Sequence, residues 1–269
     1  MRQRKYFAIF LSLIGGALLL IANVEPTSEA NAAKSKLNVK NLEVDEFFKN
    51  HDGTFVLRDM KNEKTFVYNN ERANQQFAPQ STFKVPNSLI GLQVGAVKDE
   101  YHIKYWDGVE RELAVWNQDH TLGSAMRNSV VWYYQAMARD IGGNRMEKWV
   151  QDISYGNEDI SGGIDQFWLS SSLKISPKEQ AEFMETLYKE NLPFDKDIMK
   201  TVKRIMIQKE GDHYTLYGKT GQGSGLGWYV GFIETENQAY SFAANIAGTS
   251  TDAKNITMGI LKKYYLMTE

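Results

Sequence analysis

The sequence contains no cysteine in 269 residues. Disulfides, thiolate catalysis, cysteine-ligated metal and a lipid anchor on cysteine are excluded together. Histidine is sparse: His51, His102, His120 and His213 are scattered, and none falls in an H-E-x-x-H pattern, so no metal site is expected. No G-x-S-x-G elbow is present either. Charge of one sign is lacking too. The formal net charge is -2, which points to neither a nucleic-acid partner nor an acidic-polymer substrate. Past the first residues, no apolar stretch is long enough to cross a membrane.

What is present begins with an export pattern. Arg2, Arg4 and Lys5 form a positive region, Tyr6 to Ile21 is uncharged and largely apolar, and Ala30-Asn31-Ala32 is a small-x-small cleavage site. Residues 1–32 read as a signal peptide, and cleavage near Ala32 would start the mature chain at Ala33. An uncleaved membrane anchor is the competing reading, and the stretch is short for a full span. Removal takes away three positive and two negative side chains, so the net charge moves from -2 to about -3. A secreted or extracytoplasmic location is expected, and a chain free of thiols suits it. The apolar content of 42% suffices for a sizeable core in one large domain or two interleaved lobes.

Periodicity divides the chain in three. Thr54 to Asp59 and Thr65 to Tyr68 are β-rich and joined by Lys61-Asn62-Glu63-Lys64, a hairpin preceded by an amphipathic stretch at Leu42, Val44, Phe47 and Phe48. Residues 97–204 are mostly helical, with helices expected at Val130–Ile141, Met146–Ile153 and Pro177–Asn191; Ser176-Pro177 supplies the cap and first position of the last. Strands return at Tyr214–Tyr217, Gly227–Ile233 and Tyr240–Ile246, and Asp252 to Met267 closes as a helix. Strands at both ends with helices between predict an α+β fold: an antiparallel sheet built from both chain ends, flanking helices and a helical subdomain inserted in the middle. No linker separates that insertion, so residues 33–269 read as a single domain.

The chemistry gathers around Pro79-Gln80-Ser81-Thr82-Phe83-Lys84-Val85-Pro86. Positions i and i+3 share a helix face, so Ser81 sits beside the Lys84 amine, one way to activate a serine without histidine. A helix starting near Ser81 points its N-terminus at the serine and favours a developing oxyanion. A lone Ser-x-x-Lys recurs by chance, so the other motifs matter. Ser129-Val130-Val131 offers a second hydroxyl that can pass a proton to a leaving nitrogen; alone it reads as a helix cap. Lys219-Thr220-Gly221 ends the Tyr214–Tyr217 strand, where a lysine, a hydroxyl and a glycine can hold a substrate carboxylate. Residues 223–227 are glycine-rich but lead into a strand, which suits a turn better than a phosphate cradle. Tyr155-Gly156-Asn157 and Trp168-Leu169 are weak in isolation.

The order of these motifs carries more than any one of them. Ser81-Thr82-Phe83-Lys84, Ser129-Val130-Val131, Tyr155-Gly156-Asn157, Trp168 and Lys219-Thr220-Gly221 together resemble a class D (OXA-type) serine β-lactamase, within the penicillin-recognising enzymes, from about residue 45 onward. A class A enzyme would have Ser-Asp-Asn where Ser129-Val130-Val131 stands, and a separate glutamate base. The valines suggest a dry pocket around Lys84 made by Phe83, Val130, Val131, Trp168 and Leu169, in which burial lowers the lysine pKa. The resemblance implies that the neutral Lys84 amine adds carbon dioxide, becoming N6-carboxylysine, with the Trp168 indole N–H bonding the carbamate. It implies no other cofactor and no metal. It also implies an oxyanion hole from the backbone N–H groups of Ser81 and Gln222, and catalytic roles for Ser81, Lys84, Ser129 and Lys219. Thr220, Gly221 and Lys254 would bind substrate, a small-molecule β-lactam. Members usually place an arginine after Lys-Thr-Gly to grip the substrate carboxylate. This chain has none beyond Arg204, and Ala253 or Lys254 stands in its place. Lys254 can substitute only as a point charge.

The expected activity is hydrolysis of penicillin-type antibiotics through a Ser81 acyl-enzyme, conferring resistance. An exported penicillin-binding sensor domain, acylated and slow to turn over, is the alternative from another class. Multiple turnover separates the two.

Overall fold

The computed structural model describes residues 42–267. The expected signal segment, residues 1–32, and its expected cleavage site lie outside the described residues. Six strands form one antiparallel sheet in the order β2-β1-β8-β7-β6-β5. They are β1 (Gly53–Asp59), β2 (Lys64–Tyr68), β5 (Ile207–Gly211), β6 (Tyr214–Gly223), β7 (Leu226–Thr235) and β8 (Ala239–Ala247); β3 (Ile103–Lys104) and β4 (His120–Thr121) make a separate two-stranded ribbon. The pairing of β1 with β8, from Gly53↔Ile246 to Asp59↔Tyr240, stitches the first hairpin to the end of the chain. The fold is thus α+β, with its sheet built from both ends.

Alternation along the strands sorts two cores. Phe55 and Leu57 of β1, Tyr229 and Ile233 of β7 and Phe242 of β8 face the closing helix Ser250–Lys263 through Ile256 and Ile260. Val56, Val230, Phe232 and Ala243 face the other way, into the larger core shared with the helical insertion. Burying both faces of the central strands explains their near-continuous apolar sequence. The outer edge strand β5 carries exposed Gln208, Lys209 and Glu210, which blunt it against further pairing.

The insertion packs Val131–Ile141 and Lys196–Ile205 against the central helix Lys84–Gln93, and Leu122–Arg127 and Gly143–Asp152 pack in turn on Val131–Ile141. The helix Pro177–Tyr188 lies across the sheet; Ser176 caps it, with Glu179 closing the reciprocal bond, and it stops at Tyr188 rather than Asn191. Several elements depart from the sequence reading, among them β3, β4, β5 and the helix Leu122–Arg127, none of which was expected. The helix expected around Leu42–Phe48 is only one turn, Asp45–Phe48, among the described residues. The helix Lys196–Ile205 was not expected either, although Ile198, Met199, Val202 and Ile205 recur at helical spacing, with Met199 and Val202 buried. Among the described residues, no helix is long and apolar enough to cross a membrane.

Candidate active site

Ser81 lies in a 3-10 turn, Gln80–Phe83, that feeds directly into the α-helix Lys84–Gln93. The turn is tighter than the α-helix expected from the sequence, and the two residues still share a face. Lys84 Nζ donates to Ser81 Oγ at 2.7 Å. The lysine is completely buried. Burial first, and the charge of Lys219 second, hold its pKa well below the ordinary lysine value.

The dry walls are largely aromatic. Phe83 stacks on Trp168 at 5.6 Å between centroids and meets Phe167 and Tyr155 edge-on. Val130 is buried in the same core, whereas Val131 and Leu169 are only half-buried. The sequence reading missed Tyr134, whose ring centre lies 5.4 Å from Lys84 Nζ. It sits in the helix Val131–Ile141 amid Trp132 and Tyr133 and reads as ordinary core. Its hydroxyl meets Ser88 Oγ at 3.0 Å. The Trp168 indole nitrogen is buried without a hydrogen-bond partner. An unpaired N–H in an apolar wall costs desolvation free energy unless an acceptor arrives.

Ser129 is not a helix cap. Val130 occupies that position for the helix Val131–Ile141, and Ser129 adopts a left-handed backbone with φ 54°. This conformation is uncommon for a non-glycine residue. Its hydroxyl accepts from Lys219 Nζ at 2.9 Å, and the same ammonium reaches the Thr220 carbonyl at 2.8 Å. Lys219 is nearly as buried as Lys84, and burial, with a smaller contribution from the charge of Lys254, brings its pKa down to about 7.

Lys219-Thr220-Gly221 does not end its strand, as the sequence suggested. β6 runs on to Gly223 and turns into β7 through Ser224 and Gly225, both with positive φ. Such a turn matches the twist of a hairpin. β5 pairs with β6 only as far as Ile207↔Tyr217, so among the described residues β7 is the only strand neighbour of 219–223. The Ser81 turn packs against these residues, and their glycines let it come close. A Cβ on Gly221 would sit 2.9 Å from the Pro79 carbonyl oxygen. Glycine breaks a strand pattern in sequence yet is the residue this approach requires.

Gln222 ties the hairpin to the closing helix, its side-chain oxygen accepting from Ser250 N at 2.9 Å. In that helix Ala253 is fully buried. Lys254 is half-buried, with Nζ 3.3 Å from Gln208 Oε1 and 5.7 Å from the Tyr229 ring centre. The structure therefore brings Ser81, Lys84, Ser129 and Lys219 together through two hydroxyl–amine pairs and leaves Lys254 acting on Lys219 through its charge. Tyr155 supports the site from behind, whereas Gly156 lies against Lys174 and Ile175. Tyr155 OH donates to Gln180 at 3.2 Å, and Gln180 donates to Thr82 Oγ1 at 2.7 Å. Among the described residues, no group of His, Cys, Asp and Glu is arranged to hold a metal ion.

A family profile described as the penicillin binding protein transpeptidase domain matches residues 32–265. The chain is 59% identical to the probable β-lactamase YbxI of Bacillus subtilis over the full length of both. The chain belongs to the class D β-lactamase family. β-Lactamase OXA-48 of Klebsiella pneumoniae is 41% identical over 215 residues, 78% of this chain and 81% of that one. The solved class D β-lactamase BAT-2 shares 68% identity and superposes with a TM-score of 0.83, covering 85% of this chain and 98% of that one. A crystal structure of a class D β-lactamase from Bacillus subtilis gives 65% identity and a TM-score of 0.84 over the same share of each chain. The α+β architecture is that of the class D β-lactamase structures.

Proposed function

We propose that this class D β-lactamase hydrolyses penicillin-type β-lactams through an acyl-enzyme on Ser81, with Lys84 working as its carbamate. The carrying observation is a completely buried amine 2.7 Å from the nucleophile, next in sequence to Phe83, whose ring stacks on Trp168, a buried indole with an unpartnered N–H. A neutral amine is what carbon dioxide adds to, forming an N–C bond and releasing one proton. The Trp168 N–H then has its acceptor. When bound on Lys84, the group supplies a carboxylate-type base beside Ser81 Oγ in both halves of the cycle.

The remaining steps belong to the chain's own side chains. Ser81 attacks the lactam carbonyl, and the backbone N–H groups of Ser81 and Gln222 take up the oxyanion; such a donor is typically worth roughly 3 kcal/mol of barrier. Ser129 passes its proton to the ring nitrogen, and Lys219, bonded to it at 2.9 Å, restores it. Lys219, Thr220 and Lys254 provide positive charge and a hydroxyl for the substrate carboxylate, and Gly221 admits the substrate to the edge of β6. Export through residues 1–32 would place this activity where the antibiotic first arrives, and resistance would follow.

The test is multiple turnover of a chromogenic cephalosporin with and without bicarbonate. Many cycles, faster with bicarbonate, are expected. One stoichiometric burst would instead identify a sensor that stays acylated.

A further inference from the structure

Three non-glycine residues with left-handed backbones converge on one hydrogen-bond chain beside the Ser81 turn. Gln80, Ser170 and Ser224 have φ of 53°, 53° and 50°. Gln80 Nε2 donates to Ser170 Oγ at 2.6 Å, and Ser224 Oγ donates to the same oxygen at 2.8 Å. The backbone N–H of Gln80 also holds the Trp168 carbonyl at 3.0 Å. Gly223 presses on the Gln80 amide so closely that a Cβ there would lie 2.6 Å from it. Non-glycine residues in this region carry strain that persists only where the surroundings enforce it. Here the strain turns three side chains toward one another. The chain joins the turn bearing Ser81, the segment bearing Trp168 and the β6–β7 hairpin, elements with no other reason to share a hydroxyl.

We propose that Ser170 is a positioning residue, the centre of a clasp that holds Trp168 over Lys84 and keeps carbon dioxide on the lysine. The inference rests on the carbamate reading above. Uptake joins Nζ to carbon and releases a proton; loss reverses both, and water entering the pocket favours loss by letting the amine protonate. Gln80 grips the Trp168 segment twice, once at the Trp168 backbone and once at Ser170. Ser224 pins Ser170 from the hairpin side. Freed of the hydroxyl, the Trp168 segment loses two of these ties and gains room to let water in. Gln80 is buried, while Ser170 and Ser224 are exposed, so the clasp can be cut from its outer side with the core intact.

The experiment measures the Lys84 carbamate directly, by its carbon resonance on titrating the full chain with carbon-13 bicarbonate, beside amide hydrogen exchange at residues 168–171. Ser170→Ala and Ser170→Gly should both need on the order of 5-fold more bicarbonate for half-maximal signal, the loss expected for one or two hydrogen bonds. Exchange at residues 168–171 should quicken in both, and Ser224→Ala should show a smaller shift in the same direction. If the wild-type signal is present and these variants match it, the clasp is overturned while the carbamate stands. Loss in Ser170→Ala with wild-type behaviour in Ser170→Gly would assign the effect to backbone strain and overturn the role of the hydroxyl. Absence of any carbamate signal in the wild type would overturn both readings.

Discussion

The charge on Lys219 lowers the basicity of Lys84. Both amines are buried, and each is bonded to a serine hydroxyl. Lys254 stands one step further out and lowers Lys219 in turn. Three lysines thus form an electrostatic gradient toward the nucleophile. The innermost is held well below the ordinary lysine value, the middle one comes down to about 7, and the outermost is half-buried. Burial contributes most to both inner shifts, so the gradient depends on the aromatic wall as much as on the charges.

Removal of the innermost amine should stop the second half of the cycle. In Lys84→Ala the acyl group has no base to activate water, and the backbone oxyanion donors remain. Turnover is expected to fall by roughly 10²- to 10⁴-fold, the usual value of a positioned base. Intact-mass measurement after exposure to a penicillin should find the drug retained on Ser81. A variant that turned over at the wild-type rate would exclude Lys84 from base catalysis.

Trp168→Phe separates packing from hydrogen bonding, because a phenyl ring keeps most of the stack on Phe83 and removes only the N–H. Deacylation should slow by about 10-fold or more, on the scale of one charge-assisted hydrogen bond. High bicarbonate should restore part of the rate. Thermal stability should change little, since the lost group has no partner in the protein.

The motifs were legible because each is a local spacing whose geometry a helix turn or strand dictates, as with Ser81 and Lys84 three residues apart. What was not legible depended on contacts between distant segments. Tyr134 reaches the Lys84 amine only because its helix packs on the helix Lys84–Gln93, and in sequence it is one more aromatic. The length of β6 was hidden for the opposite reason. Gly218, Gly221 and Gly223 weaken any strand pattern, and the bulk they avoid belongs to Tyr229, the Ser81 turn and Gln80. The helix-cap reading of Ser129 failed because nothing local announces its left-handed backbone; its hydroxyl partner, Lys219, lies 90 positions away.

Gly221→Ala tests how closely β6 approaches the nucleophile. The added methyl would lie 2.9 Å from the Pro79 carbonyl oxygen and 3.0 Å from the Thr82 methyl carbon, backbone and buried side chain that have little room to give. The Ser81 turn must shift by a few tenths of an ångström. The expected result is a drop in kcat of roughly 10-fold or more, since small misplacements of reacting groups are costly. Pre-steady-state burst kinetics should place the defect in acylation.

Lys254→Ala addresses the missing arginine. Loss of a half-screened cation should raise KM several-fold for substrates that carry a carboxylate and leave kcat nearly unchanged, the pattern of uniform binding lost. It should also raise the Lys219 pKa, because one of the two causes of its lowering is gone. Any limb of the kcat/KM profile near pH 7 should move to higher pH. Unchanged kinetics and profile would remove Lys254 from the site.

Lys219 makes a stability prediction with a definite sign. Its pKa is about 7 in the folded chain against 10.5 for a free lysine. Between those values the unfolded chain holds a proton that the folded chain has given up, so wild-type stability rises with pH across this window. Below about pH 7 both states are charged, and the folded state bears the full cost of a buried ammonium. Lys219→Met keeps the bulk and removes the titration. It should therefore be more stable than the wild type at pH 6, and the difference should shrink steadily as the pH approaches 10. Denaturant midpoints of the two proteins, measured at intervals across that range, decide the matter. A gap that stayed constant or widened toward high pH would show that Lys219 is not a buried group of lowered pKa.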